Sequence, residues 1–193
     1  SLSNLTDDRM RNAKNGAWWE DNVQRALANN SVAYTELPDV GIFLKEWTTL
    51  YESKSGERGI FNRVAATKKA AANGRRNVES YEYGTNPCGE IILRSKGLCN
   101  LSEVVIRESD TLADLKQKVE VATIIGTFQS TLTNFRYLRS DWRKNQEEER
   151  LLGVSLTGIM DHPVLSKADE ECIKWLTELR EHAISVNKVW ANT

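Results

Sequence analysis

The stretch that decides the fold is YGTNPCGEIILRSKGLCNLSEV, residues 83–104. It places an amide, a thiol and a carboxylate at alternating positions, on Asn86, Cys88 and Glu90. Alternate side chains of an extended backbone face the same way, so these three are expected to point into one pocket. Pro87 fixes its own φ and pushes the preceding residue toward extended geometry. The pattern predicts a stiff loop that presents a thiol between an amide and a carboxylate.

These three side chains suit a reaction at a substrate hydroxyl. The carboxylate of Glu90 can act as a general base, and the amide of Asn86 can orient the hydroxyl by donating and accepting. The thiol of Cys88 can react as a thiolate nucleophile or as a thiyl radical. A thiolate is favoured by a neighbouring cation or helix N-terminus, whereas the neighbour here is a carboxylate. The composition of the loop therefore favours hydrogen-atom transfer over nucleophilic catalysis.

A second thiol, Cys99, lies on the predicted strand GLCNLSEVVIR at residues 97–107. It could supply a reducing hydrogen and then become half of a disulfide. Cys172 lies in the predicted last helix and is expected to be an ordinary buried or half-buried thiol, so the partner of Cys99 is expected outside these 193 residues. An isolated N-x-C-x-E pattern would more often occur by chance or in a turn than mark a functional site. An isolated cysteine such as Cys99 would more often be a core residue. Their occurrence in one stretch favours a site.

Composition excludes several classes of function. The net charge of −1 gives no basic excess for nucleic acid, and the pairs Lys68–Lys69 and Arg75–Arg76 are interpreted as solvated faces. The mean hydropathy is −0.51, and no apolar run approaches the roughly 18 residues of a membrane span. Three cysteines indicate a reducing, cytoplasmic compartment rather than a disulfide framework. His162 and His182 do not stand in metal-ligand spacing with the cysteines, so no metal site is predicted.

Strands alternate with helices along the rest of the chain, which predicts an α/β fold with partly parallel strands. Strands are predicted at 31–36 and 97–107, and 151–161 is predicted to be a strand that runs into a loop. Helices are predicted at 7–14, 17–28, 39–53, 64–72, 111–135 and 168–190. The segment 54–63 is predicted to be a loop, and 146–150 a solvated helix face. Phe43, Trp47, Leu50 and Tyr51 are predicted to be core. About four strands are too few to close a barrel, and both ends read as interrupted, so we expect a segment of a larger or split protein.

The stretch NPCGEIILRSKGLCNLSEV, 86–104, closely resembles the finger-loop region of ribonucleotide reductase catalytic subunits. It is most similar to the adenosylcobalamin-dependent class II enzymes. Three other stretches also resemble these enzymes: RALANNSVAYTE, YESKSGERGIFNR and FRYLRSDWRKNQEEERLLGVSLTGIMD. The resemblance therefore runs across nearly the whole chain. Class I subunits usually carry leucine where Pro87 stands and a longer gap to the second cysteine. Class III enzymes lack this arrangement of reducing cysteines.

The resemblance implies a ten-stranded α/β barrel with a central finger loop, of which residues 1–193 would be an incomplete segment. It implies that Cys88 is the thiyl radical, Glu90 the general base on the 3′ hydroxyl, Asn86 a ligand of the substrate hydroxyls and Cys99 a reducing cysteine. Adenosylcobalamin would be the cofactor, with its site mostly outside this chain. The partners would be the remaining reductase segments, a ribonucleotide substrate and a thioredoxin-type reductant.

Two alternatives stay open at this point. The chain could be a class I segment whose radical comes from a metal-bearing partner subunit. It could also be a non-catalytic fragment that folds alone and serves only as an assembly or interaction module.

Overall fold

The computed structural model describes residues 2–54, 56, 58–72, 76 and 82–192. They form two compact units, Ser1–Lys96 and Gly97–Thr193. Helices and strands alternate in both units and five of the seven described strands pair in parallel, which confirms the predicted α/β class. These strands lie in three small sheets, so the described residues do not by themselves close a barrel.

The first unit is built on a parallel sheet of three strands in the order β1-β2-β3. These are β1 (Leu2–Ser3), β2 (Ser31–Tyr34) and β3 (Gly59–Asn62). The central strand β2 was predicted, and all four of its residues are buried. The prediction of a loop at 54–63 is wrong for its last part, because the short strand β3 pairs with β2 from Gly59 to Asn62.

Among the residues that the structure describes, four α-helices accompany this sheet: α1 (Asp8–Arg11), α2 (Trp18–Asp21), α3 (Val40–Ser53) and α4 (Arg63–Ala71). The helix predicted at 17–28 is only α2 followed by a 3-10 turn, Val23–Arg25. Asp39 caps α3 by accepting a hydrogen bond from the Gly41 N–H at 2.8 Å. The predicted aromatic core face of α3 is wrong at Trp47 and Tyr51, which are 52% and 84% exposed. The helix buries Glu46 and Ser53 instead.

Glu46 is the centre of a buried ion network in the first unit. Its side chain is 2% exposed and forms ion pairs with Arg11 and Arg58, whose side chains are each 3% exposed. Arg58 Nε donates to Glu46 Oε2 at 2.9 Å, and its Nη1 donates to Ser3 Oγ at 2.8 Å and to Asn30 Oδ1 at 3.2 Å. The network therefore joins α3 to β1 and to the residue that precedes β2.

Removing the charge at the centre of this network is expected to destabilise the chain. Glu46→Gln should lower the free energy of unfolding by about 3 kcal/mol, because it removes the carboxylate that pairs with buried Arg58 and leaves buried Arg11 with only the exposed carboxylate of Asp8. Urea unfolding of the chain measures the change. Glu52→Gln, the same substitution at an exposed position of α3, is the matched control and should change stability by less than about 0.5 kcal/mol. Equal unfolding midpoints for the two variants would contradict the expectation.

The second unit packs three helices against a parallel pair of strands. The strands are β6 (Asn100–Val105) and β7 (Leu152–Thr157), in register from Asn100↔Leu152 to Val105↔Thr157. The helices are α5 (Leu112–Ser130), α6 (Ser140–Glu149) and α7 (Glu170–Trp190). Their shared core contains Val104, Ile106, Leu115, Val119, Ala122, Leu165, Cys172 and Leu179. Both strands, the long α5 and the last helix were predicted, and Cys172, expected to be buried or half-buried, is buried.

Two details of these helices differ from the prediction. The helix α5 ends at Ser130, and the apolar residues Ile125, Phe128 and Leu132 are 51%, 57% and 70% exposed. The predicted solvated face at 146–150 is wrong for Gln146 and Glu149, which are 2% and 4% exposed. Because α6 is almost entirely polar, the face that it buries must also carry polar side chains.

A buried histidine holds the connections of the second unit together. His162 Nε2 donates to the carbonyl oxygen of Asp110 at 2.9 Å, while its Nδ1 accepts from the N–H groups of Val164 and Leu165, both at 3.2 Å. A hydrogen bond from Lys118 Nζ, at 2.6 Å, holds the pKa of the Asp110 carboxyl below its ordinary value. His162 is thereby accounted for as a structural residue. No helix in the described part of the chain has the length and apolar character needed to cross a membrane.

Candidate functional site

The candidate site is the tip of an antiparallel hairpin in the first unit. Its strands are β4 (Tyr83–Thr85) and β5 (Ile92–Arg94), and the pairing ends at Thr85↔Ile92. Beyond that pair, the Asn86 N–H donates to the Ile91 carbonyl at 3.3 Å. The Gly89 N–H then donates to the Asn86 carbonyl at 3.2 Å, which closes a four-residue turn.

The expectation that residues 86–90 are extended is therefore wrong. The chain reverses direction here because Pro87 occupies the second position of the turn, where its fixed φ is favourable, and a glycine closes the turn. Gly89 has a φ of +90°, in the region that favours glycine. The alternating pattern consequently places Asn86 and Glu90 on the two sides of a turn rather than along one face of a strand.

The amide and the carboxylate nevertheless meet across this turn. Asn86 Nδ2 donates to Glu90 Oε1, and Asn86 Oδ1 accepts from the Ile91 N–H at 3.0 Å. Thr85 Oγ1 lies 3.3 Å from the same Oδ1 as a further donor. Because the oxygen of the Asn86 amide faces the backbone, its nitrogen is directed toward the carboxylate. A ligand that carries hydroxyl groups could therefore contact an amide and a proton-accepting carboxylate that lie side by side.

Cys88 lies at the tip of the turn and is exposed, as are Pro87, Gly89 and Glu90. Its sulfur is therefore reachable by a molecule that approaches from outside this unit. Pro87 and Gly89 restrict and shape the backbone on either side of the thiol, so the position of the sulfur follows from the conformation of the turn.

The base of the hairpin is supported by a buried tyrosine and an arginine. Tyr83 is 0% exposed and packs with Ala70 and Ile92. The guanidinium of Arg76 lies 4.8 Å from the centre of the Tyr83 ring, and its Nη1 donates to the Ile92 carbonyl at 2.9 Å. The interpretation of the Arg75–Arg76 pair as a solvated face is wrong for Arg76, which is half-buried, while Arg75 lies outside the described residues.

The fourth predicted site residue, Cys99, belongs to the second unit. It directly precedes β6 and is half-buried. All three cysteines are thiols. Within the described residues, no group of three or more His, Cys, Asp or Glu side chains is placed to hold a metal ion.

Comparison with known proteins relates the chain to one kind of enzyme. It is 33% identical over 143 residues to the adenosylcobalamin-dependent ribonucleoside-triphosphate reductase of Lacticaseibacillus paracasei, a match that covers 71% of this chain and 18% of that protein. The reductases of the same name from Lactobacillus acidophilus and Levilactobacillus brevis are 35% identical over 118 residues and 31% identical over 144. These matches cover 55% and 71% of this chain and 14% and 18% of the relatives, so the chain spans less than a fifth of their length. No family model matches the chain.

Proposed function

We propose, from the premise that this chain corresponds to a segment of the adenosylcobalamin-dependent class II ribonucleotide reductases, that its 86–90 turn is the radical-bearing finger loop of such an enzyme. The observation that carries the proposal is the exposed thiol of Cys88 on a turn where Asn86 is hydrogen-bonded to Glu90. The reaction would reduce a ribonucleotide to a 2′-deoxyribonucleotide.

The three turn residues divide the first half of this reaction among them. Cys88 loses its thiol hydrogen atom to become a thiyl radical, then takes the hydrogen atom from ribose C3′, which restores the S–H bond and leaves a carbon radical. Glu90 accepts the proton of the 3′ hydroxyl as a general base. Asn86 holds the substrate hydroxyls through its amide, whose orientation is set by its bond to the Ile91 N–H.

The second half of the reaction removes the 2′ hydroxyl and requires two electrons. The hydroxyl leaves as water after it is protonated, and two thiols supply the electrons and protons as they join in a disulfide. Cys99 is the thiol that we assign to this step, together with a cysteine outside this chain. Cys88 then returns its hydrogen atom to C3′. A thioredoxin-type dithiol is the chemical class of reductant that would reopen the disulfide.

The cofactor proposed from the relatives is compatible with the exposure of the thiol. When bound, adenosylcobalamin supplies a carbon-centred radical that can accept the thiol hydrogen. This chain contributes the conformation of the turn that presents Cys88, and we place most of the cofactor site on segments outside these residues. Because the sulfur is exposed, it can be approached by a group that this chain does not itself hold.

Apolar surfaces on each unit support assembly with further reductase segments into the ten-stranded barrel. The first unit has a groove of about 700 Å³ beside β2 and β3, where Leu37 and Val40 are 95% and 71% exposed. The second unit has a groove of about 720 Å³ along β6 and α5, where Val121 and Ile125 are 57% and 51% exposed. Contiguous exposed apolar surfaces of this kind are typical of faces on which another protein segment packs.

The proposal predicts a reductase activity that depends on adenosylcobalamin. The chain should be combined with the remaining reductase segments, and conversion of a ribonucleoside triphosphate to its deoxy form measured with and without the cofactor. Product is expected only when adenosylcobalamin is present. Activity that requires a metal-bearing partner subunit instead would identify a class I segment. Assembly without activity under either condition would favour a non-catalytic assembly module.

A further inference from the structure

The turn that carries Cys88 is tied to the sheet of the first unit through Asn29. The Nδ2 of Asn29 donates a hydrogen bond to the carbonyl oxygen of Pro87, a residue 58 positions later in the sequence. That carbonyl belongs to the peptide bond that enters Cys88. The bond therefore restrains the peptide plane on which the position of the reactive residue depends.

The orientation of the Asn29 amide is set from its other end. Ser31 Oγ lies 3.3 Å from Asn29 Oδ1 and donates to it. With the oxygen engaged by a hydroxyl, the NH₂ group is the part of the amide that faces the turn. The two contacts agree on the same assignment of oxygen and nitrogen.

The backbone that presents Asn29 is firmly held. The next residue, Asn30, is 3% exposed and donates from Nδ2 to the Met10 carbonyl at 2.7 Å. Its Oδ1 accepts from Arg58 at 3.2 Å, and its carbonyl accepts from the Gly59 N–H at 2.9 Å. The buried central strand β2 begins one residue later, at Ser31. Asn29 therefore lies on backbone that is fixed by these hydrogen bonds and by the buried strand that follows, and fixed supporting structure holds a side chain in a defined position.

We propose that Asn29 is a positioning residue that sets the place of the Cys88 sulfur through its hydrogen bond to the Pro87 carbonyl. This inference rests on the proposed function for its catalytic consequence. Because Asn86 and Glu90 bond to each other within the turn, loss of Asn29 leaves the groups that hold the substrate hydroxyls paired. Loss of the Asn29 hydrogen bond should therefore slow hydrogen-atom transfer without weakening substrate binding.

Two variants of Asn29 test the inference in the assembled enzyme. Asn29→Ala removes the side-chain contact, and Asn29→Asp keeps its size but replaces the donor with a carboxylate. Both should lower kcat by about tenfold to a hundredfold, since a displacement near 1 Å can cost a hundredfold. KM should stay within about twofold, because the groups that bind the substrate hydroxyls are retained. Asn15→Ala, at an exposed asparagine that bonds Asn12 rather than the turn, is the matched control and should leave both constants unchanged.

A second measurement on the 193-residue chain does not depend on catalysis. Amide hydrogen exchange at Gly89, whose N–H closes the turn, should become several-fold faster in both Asn29 variants and stay unchanged in Asn15→Ala. Faster exchange with a lower kcat supports the inference. Unchanged exchange, or faster exchange with an unchanged kcat, overturns it while leaving the proposed function in place. If Cys88→Ser retained activity, the proposed function would fail, and the exchange at Gly89 would alone decide whether Asn29 positions the turn.

Discussion

Cys88→Ser is expected to abolish formation of deoxynucleotides in the assembled reductase. Serine is nearly the same size as cysteine, and position 88 is exposed, so the turn should keep its conformation. The O–H bond is much stronger than the S–H bond, so the radical cannot be moved onto residue 88 and the ribose hydrogen is not abstracted. The rate should fall by more than about a thousandfold, which corresponds to roughly 4 kcal/mol in the barrier. Steady-state product formation measures it.

The control for this substitution is provided by the third cysteine of the chain. Cys172 is buried in the core of the second unit, and its Sγ lies 3.6 Å from the Leu165 carbonyl, which can also accept from a serine hydroxyl. Cys172→Ser should therefore retain activity near that of the unchanged protein. A Cys88→Ser enzyme with activity within about twofold of the unchanged enzyme would remove Cys88 from the mechanism.

Elements with local signals could be predicted from the sequence. Asp39 precedes the apolar periodicity of α3 and caps it, and Thr111 and Asp114 form the capping box that begins α5. The strand β3 could not be predicted in the same way, because four residues after a glycine-rich segment become a strand only by pairing with β2. Local periodicity was likewise misleading for α3, because one of its buried residues is Glu46, whose burial depends on two arginines distant in sequence.

In the candidate site too, local features could be predicted from the sequence and long-range contacts could not. The spacing of Asn86 and Glu90 indicated that an amide and a carboxylate would lie together, and they do, although through a turn rather than an extended strand. No local sequence pattern indicates that Asn29 and Arg76 form hydrogen bonds to the hairpin. Asn29 contacts a residue 58 positions away, and Arg76 contacts one 16 positions away, so both depend on how the hairpin lies within the first unit. Contacts of this length follow from tertiary packing and not from local pattern.

Glu90→Gln should separate proton transfer from substrate binding. The glutamine Oε1 can still accept the hydrogen bond from Asn86 Nδ2, so the turn and its amide should keep their places. Glutamine cannot take the proton of the 3′ hydroxyl, and removal of a general base lowers rates by about 10²–10⁴-fold. We expect kcat to fall within that range while KM changes by no more than about threefold. Steady-state kinetics with a ribonucleoside triphosphate, in the presence of adenosylcobalamin, measures both constants.

The same hairpin offers the matched control for this substitution. Glu82 immediately precedes β4, its side chain is 74% exposed, and it pairs with Arg63 on the surface. Exposed ion pairs contribute little to stability, so Glu82→Gln should preserve both kinetic constants. If Glu90→Gln and Glu82→Gln gave the same kcat as the unchanged enzyme, the base would have to lie outside this turn. If Glu90→Gln instead raised KM and left kcat intact, Glu90 would hold the substrate without accepting its proton.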